Sequence, residues 1–155
     1  MTKKAQIKKI QFIEEKKNQL NKPLEQYQLT PSLSENIRII QNLFADNDTL
    51  IVRQFENYID PSLKFCIIYN DGVVSSEQIN ENILAPLMVI KIHSSENILE
   101  EISRRVIQIG DIKNSDSVKE IVESIAFGDT VLFSEGSNRV LILSTKSFVT
   151  RSISE

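Results

Sequence analysis

The run Phe65-Cys66-Ile67-Ile68-Tyr69 limits the possible folds of this chain more than any other stretch. Strand-forming residues stand at consecutive positions without polar alternation. A strand built from them sends apolar side chains to both faces of its sheet, so both faces must be covered. A second strand is predicted at Thr49–Phe55, joined to the first by the loop Glu56–Lys64. Asn70-Asp71-Gly72 reads as the turn that ends the apolar run, because Gly72 tolerates positive φ.

The covering elements are legible from caps and periodicity. Ser32-Leu33-Ser34-Glu35 reads as a capping box in which the Ser32 hydroxyl accepts from the Glu35 amide and Glu35 reaches back. Leu33, Ile37, Ile40 and Phe44 then follow on one helix face. A second helix is capped at Ser75 with Gln78 and turns Ile79, Ile83 and Leu87 inward. Pro86 sits late in it and predicts a kink or an early end, since a mid-helix proline costs about 3 kcal/mol. A third helix runs from Asn97 with Leu99, Ile102, Val106 and Ile109 inward. A fourth opens on a box at Ser117 and Glu120, buries Val118, Ile121, Val122 and Ile125, and stops at Gly128.

Residues 129–136 and 138–145 form a predicted hairpin with its turn near Gly136–Asn138. Residues 147–154 alternate weakly and carry Arg151, as an edge or exit strand does. The expected order is one helix, two strands, three helices and three strands. That order gives a mixed α/β fold, with helices-on-sheet layers over a largely antiparallel mixed sheet.

Length and composition bound the class. With 155 residues, 41% apolar and 25% charged, the chain can bury one core, as a single domain or a domain plus tail. No run of 18 apolar residues spans a bilayer, and the start is too charged for a secretory signal. The net charge of −3 conceals an asymmetry: residues 1–22 carry +5, with seven lysines, and the rest carries −8. An acidic body with a basic arm argues against a nucleic-acid domain. Residues 5–20 offer only a thin apolar stripe of Ile7, Ile10, Phe12, Ile13 and Leu20, and Pro23 and Pro31 bracket a linker. The expected division is a flexible basic arm and linker at 1–31 and an α/β body at 32–155. The arm's lysines could be drawn to an anionic leaflet, or could form a solvated tail.

Few residues point to chemistry. His93 is the only histidine and Cys66 the only cysteine, 27 positions apart in unrelated elements, which does not make a metal site. In an apolar run, Cys66 reads as a buried, inert thiol. Ser134 lacks the glycine flanks of a nucleophile elbow. Gly72, Gly110, Gly128 and Gly136 are too scattered for a phosphate loop. Asp71, Asp111, Asp129 and Glu135 adjoin turns, where short acidic side chains support the loop itself. No catalytic, cofactor-binding or metal-binding residues are assigned, and no cofactor is expected.

Several segments resemble the N-terminal region of the A subunit of GerA-family spore germinant receptors. They are SLSENIRIIQNLF, LIVRQFE, CIIYNDGVVSSEQINENILAPLM and VKEIVESIAFGDTVLFSEGSNRVLILSTKSFVTRSISE. The resemblance covers residues 32–155 and leaves the basic arm outside it. It implies a non-catalytic sensory or assembly domain of a nutrient receptor that triggers germination, or alternatively a purely structural oligomerisation scaffold. In that family the A subunit combines a hydrophilic N-terminal region of two subdomains, similar in architecture to substrate-binding proteins, with transmembrane helices. Its implied partners are the B and C subunits and other A subunits, with a small nutrient ligand held between subdomains. The implied location is the spore inner membrane, with this domain on the cytoplasmic side. The chain would then hold the first subdomain only and continue from residues 147–154 into a second, so a surface near 146–153 should meet a partner.

Overall fold

The computed structural model describes residues 3–8, 10, 22–93 and 97–146. Five strands form one sheet: β1 (Leu50–Glu56), β2 (Lys64–Asn70), β3 (Ile112–Ser115), β4 (Thr130–Ser134) and β5 (Val140–Leu143). Their order is β1-β2-β4-β5-β3, and every pairing is antiparallel. Four helical rods cover it: α1 (Leu33–Leu43), α2 (Ser76–Gln78, Ile79–Leu84 and Ala85–Val89 in succession), α3 (Ile98–Glu101 then Ile102–Val106) and α4 (Val118–Phe127).

The unalternating β2 explains the two-sided architecture. Cys66 and Ile68 face a core shared with α1 and α4, where Val131, Phe133, Val140 and Ile142 join them. Phe65 and Ile67 face the opposite core with α2 and α3, alongside Leu132, Leu141 and Leu143. Cross-strand register keeps each set on its side: Cys66 opposes Phe133 and Ile67 opposes Leu132. All four of those residues are at most 1% exposed. Full burial of each such side chain stabilises the fold by about 1.5–3 kcal/mol, so a register slip by one residue would cost both cores at once.

Three expectations are corrected. The strand Ile112–Ser115 was not expected; it inserts between α3 and α4, so from Leu33 onward the order is one helix, two strands, two helices, a strand, a helix and two strands, with a short 3-10 turn at Leu24–Gln26 before them. Its sequence, Ile-Lys-Asn-Ser, has one apolar residue, because it is an edge strand supported by β5 alone. Pro86 does not break α2. The preceding stretch Ile79–Leu84 is π-helical, with the Ala85 amide donating to the Asn80 carbonyl five residues back. Pro86 falls where this wider ladder returns to α spacing, and the rod continues to Val89. Ile109 is buried, but beyond the end of α3.

The capping boxes are half formed as drawn. Ser32 and Ser117 accept from the Glu35 and Glu120 amides. The Ser32 amide, however, donates to Thr30 Oγ1, and the Ser117 amide to Ser115 Oγ, which itself donates to Glu120. The reciprocal bond is made by a residue two positions upstream, whose short hydroxyl reaches the amide directly.

Residues before Ser32 also take part in the fold. Leu24 and Leu29 are buried in the α1–α4 core, Gln28 bridges Ser117, and Pro31 accepts from the Gly136 amide at 2.8 Å. The expected linker is therefore pinned from about Pro23 onward. The proposed strand at 147–154 lies outside the described residues.

Candidate functional site

Strand directions give the domain two ends. The β1–β2 loop, the β4–β5 turn and the segment Ser115–Ser117 lie at one. The Asn70–Gly72 turn, Gly128–Thr130 and Leu143–Lys146 lie at the other. At this second end the chain crosses to α2: Lys146 bridges Val74 and the Ser75 amide donates to the Thr145 carbonyl at 2.7 Å. Beneath that crossing Thr130 and Thr145 share a buried hydroxyl contact of 2.6 Å. Thr145 Oγ1 also donates to the Gly128 carbonyl.

Beside this crossing lies a shallow groove of about 230 Å³ between α4 and the β3–β5 edge. Asp111, Lys113, Glu120, Asp129 and Lys146 line it. Four of its five charges are paired. Lys146 Nζ lies 2.6 Å from Asp129 Oδ1, and Lys113 is bonded to Glu120. The Lys113 ammonium and then the Ser115 hydroxyl hold the Glu120 carboxyl below its ordinary value, and Glu120 in turn raises Lys113. A groove of paired charges offers hydrogen bonds and complementary polarity to a neighbour.

A larger depression of about 510 Å³ opens at the first end, among the Ser62–Leu63 loop, the start of α3 and the β4–β5 turn. Arg139 lies on its rim, tied to Asn114 Oδ1 at 2.5 Å and to Asp116 at 3.2 Å. Glu135 Oε1 accepts from the Leu33 amide.

The residues weighed from sequence are dispersed. His93 is exposed after α2, its amide donating to Glu101. Cys66 is buried in the sheet, and burial pushes its thiol up to about 12, so thiolate chemistry is suppressed at neutral pH. Asp111 and Asp129 do share the paired-charge groove, whereas Asp71 sits in its turn and Glu135 at the opposite end. Ser134 is buried within β4. Among the described residues no group of three or more His, Cys, Asp or Glu is arranged to hold a metal ion, and no helix is long and apolar enough to cross a membrane.

Of two residues that organise these ends, Glu135 reads from sequence only as supporting its own turn, and Asn57 is not singled out. Glu135 acts on a helix 102 positions away, which leaves no local signal. Asn57, fully buried, ties the β1–β2 loop to the end of α2. Its only trace is a short polar residue after a strand.

Comparison with known proteins gives a consistent family. Residues 38–155 match the family described as Bacillus/Clostridium GerA spore germination protein. The chain is 29% identical over 150 residues to the uncharacterized membrane protein YfkQ of Bacillus subtilis, covering 96% of this chain and 27% of that protein. It is 24% identical over 127 residues to spore germination protein KA of the same organism, covering 82% and 23%. The chain therefore spans about a quarter of the curated relatives it matches. The crystal structure of the N-terminal domain of the A subunit of the Bacillus megaterium spore germinant receptor GerK3 superposes with a TM-score of 0.68 at 28% identity, over 79% of this chain and 49% of that one.

Proposed function

As the chain belongs to the GerA family of spore germination proteins, we propose that it is a non-catalytic sensory and assembly domain of a nutrient germinant receptor. It works by contact with neighbouring receptor parts. The observation that carries this reading is the fold shared with the GerK3 A-subunit domain, of which the chain matches about half. The remaining half of such a domain would be the second subdomain, and the paired-charge groove beside Lys146 would form one wall of the interface with it. A nutrient held between the two subdomains would then meet only one wall here, since small-molecule sites favour domain interfaces. The receptor's B and C subunits and other A subunits are the proposed partners, in the spore inner membrane with this domain on the cytoplasmic side.

A structural scaffold that orders A subunits is the second reading. It is favoured by the internal pairing of most ionisable groups in the two depressions: Lys113 with Glu120, Lys146 with Asp129, Arg139 with Asp116 and Glu135 with the Leu33 amide.

Deleting residues 32–146 from the complete receptor separates the two. Intact receptor assembly with a lost nutrient response supports sensing. Loss of assembly supports the scaffold. Unchanged germination would reject both.

A further inference from the structure

Four of the six large apolar side chains exposed among the described residues come from two neighbouring segments: Tyr58 (70% exposed), Ile59 (56%), Val89 (57%) and Ile90 (40%). We propose that this surface docks onto an anionic lipid bilayer, with these four side chains entering the interface and Lys91 meeting the headgroups.

The patch is built and held rigid. The Tyr58 amide donates to the Met88 carbonyl at 2.8 Å. The buried Asn57 amide nitrogen donates to the Leu87 and Ile90 carbonyls at 2.7 and 2.9 Å, and its oxygen accepts from the Ile59 and Asp60 amides. The β1–β2 loop is thereby fixed to the end of α2 with Tyr58 and Ile59 turned outward, so docking needs little further ordering of the backbone. A tyrosine among aliphatic residues suits the boundary between headgroups and acyl chains.

Charge favours a lipid surface. Lys91 is exposed beside Ile90, with no ion-pair partner among the described residues. Several acidic side chains at this end are neutralised by cations: Glu56 by Lys64, Glu25 by Lys119, Asp116 by Arg139 and Glu100 by Arg104. Asp60, beside Ile59, is held by the Ser62 amide and hydroxyl, Glu101 by the His93 amide and Glu135 by the Leu33 amide. The same end receives the chain after the lysine-rich residues 1–22, because Gln28 bridges Ser117 and Pro31 bonds Gly136. That entry lies on the β3 side and the patch on the β1 side, four strand spacings or about 19 Å apart. Two contacts so separated at one end suit an extended, negatively charged plane. A second copy fits poorly: an isologous contact would bring Lys91 toward its own mate, and four side chains fall well short of a stable interface.

The proposal rests on the receptor reading only for a nearby bilayer, and its test reads lipid binding alone. The chain has no tryptophan, so Tyr58→Trp is a unique reporter. Its emission is followed with vesicles of phosphatidylcholine, with and without phosphatidylglycerol, at low and high salt. A blue shift and quenching by brominated lipid, confined to the anionic vesicles and reduced by salt, is the expected result. Adding Ile59→Ser and Val89→Ser lowers partitioning by about tenfold or more. Both positions are exposed, so the unfolding midpoint should stay unchanged and report that the fold is intact. Unshifted emission with anionic vesicles at low salt would overturn the proposal. So would a lipid-independent blue shift that grows with protein concentration, which would identify a second copy as the occupant.

Discussion

Glu135 Oε1 accepts a hydrogen bond from the Leu33 amide at 2.9 Å, joining the β4–β5 turn to the first turn of α1 across 102 positions of chain. The amides of a helix's first turn have no partner within the helix, and a carboxylate there also meets the positive end of the helix dipole. Glu135→Ala should therefore destabilise the domain by about 1–2 kcal/mol. For a chain of this length that corresponds to a fall in Tm of roughly 2–8 °C. Glu135→Gln, which keeps the acceptor but not the charge, should lose less. Urea unfolding of both variants measures the difference, and equal losses would show that the bond itself contributes little.

Gly128 ends α4 with φ 105°, and a Cβ there would lie 3.0 Å from the Val73 carbonyl oxygen and 3.2 Å from Lys146 Cγ. Gly72 has a similar φ of 92° but open space around it. Gly128→Ala combines strain with a backbone clash and should cost about 2–4 kcal/mol, against roughly 1 kcal/mol for Gly72→Ala. Thermal unfolding of the pair provides the check. A Gly128→Ala variant no less stable than Gly72→Ala would mean that the chain near Lys146 yields freely.

The Cys66 thiol should resist alkylation in the native protein at pH 8 and react at the rate of unfolding. Its native value of about 12 exceeds the ordinary 9.0. Above pH 9 the unfolded thiol loses its proton while the native one keeps it, so stability is fully present below pH 9 and falls as pH rises towards 12. The slope from this group is about 1.4 kcal/mol per pH unit. Urea titrations between pH 8 and pH 10.5, comparing the native chain with Cys66→Ala, isolate that contribution. Rapid labelling without unfolding would contradict the burial seen here.

The Glu120 carboxylate, lowered chiefly by Lys113 and then by Ser115, contributes stability above the ordinary carboxylate range that disappears as pH falls through its lowered value. Both partners are largely solvated, so a double-mutant cycle with Lys113→Met and Glu120→Gln should give only a weak coupling at neutral pH and none at pH 2. A larger coupling would mean that the groove is less open to water than its geometry indicates.

The elements that bury whole faces were the legible ones. Ile37, Ile40, Ile79, Ile83, Ile121 and Ile125 fall on repeating helix positions, and each is buried where its spacing placed it. The unalternating β2 likewise announced a sheet covered on both sides. Edge strand β3 was hidden because Lys113 and Asn114 face solvent and carry no apolar period. The reach of Glu135 to α1 and the clamp made by Asn57 were hidden for a different reason. They depend on which loops share an end of the sheet, and only the register of all five strands decides that.

The central claim is that this domain acts through contact and not through a reactive group. It is tested most directly in spores carrying the complete receptor with His93→Ala and Cys66→Ala, the two side chains best suited to nucleophilic or metal chemistry. Nutrient-triggered germination at the unmodified rate, with normal receptor accumulation, is the expected result. Abolished germination despite normal accumulation would contradict it.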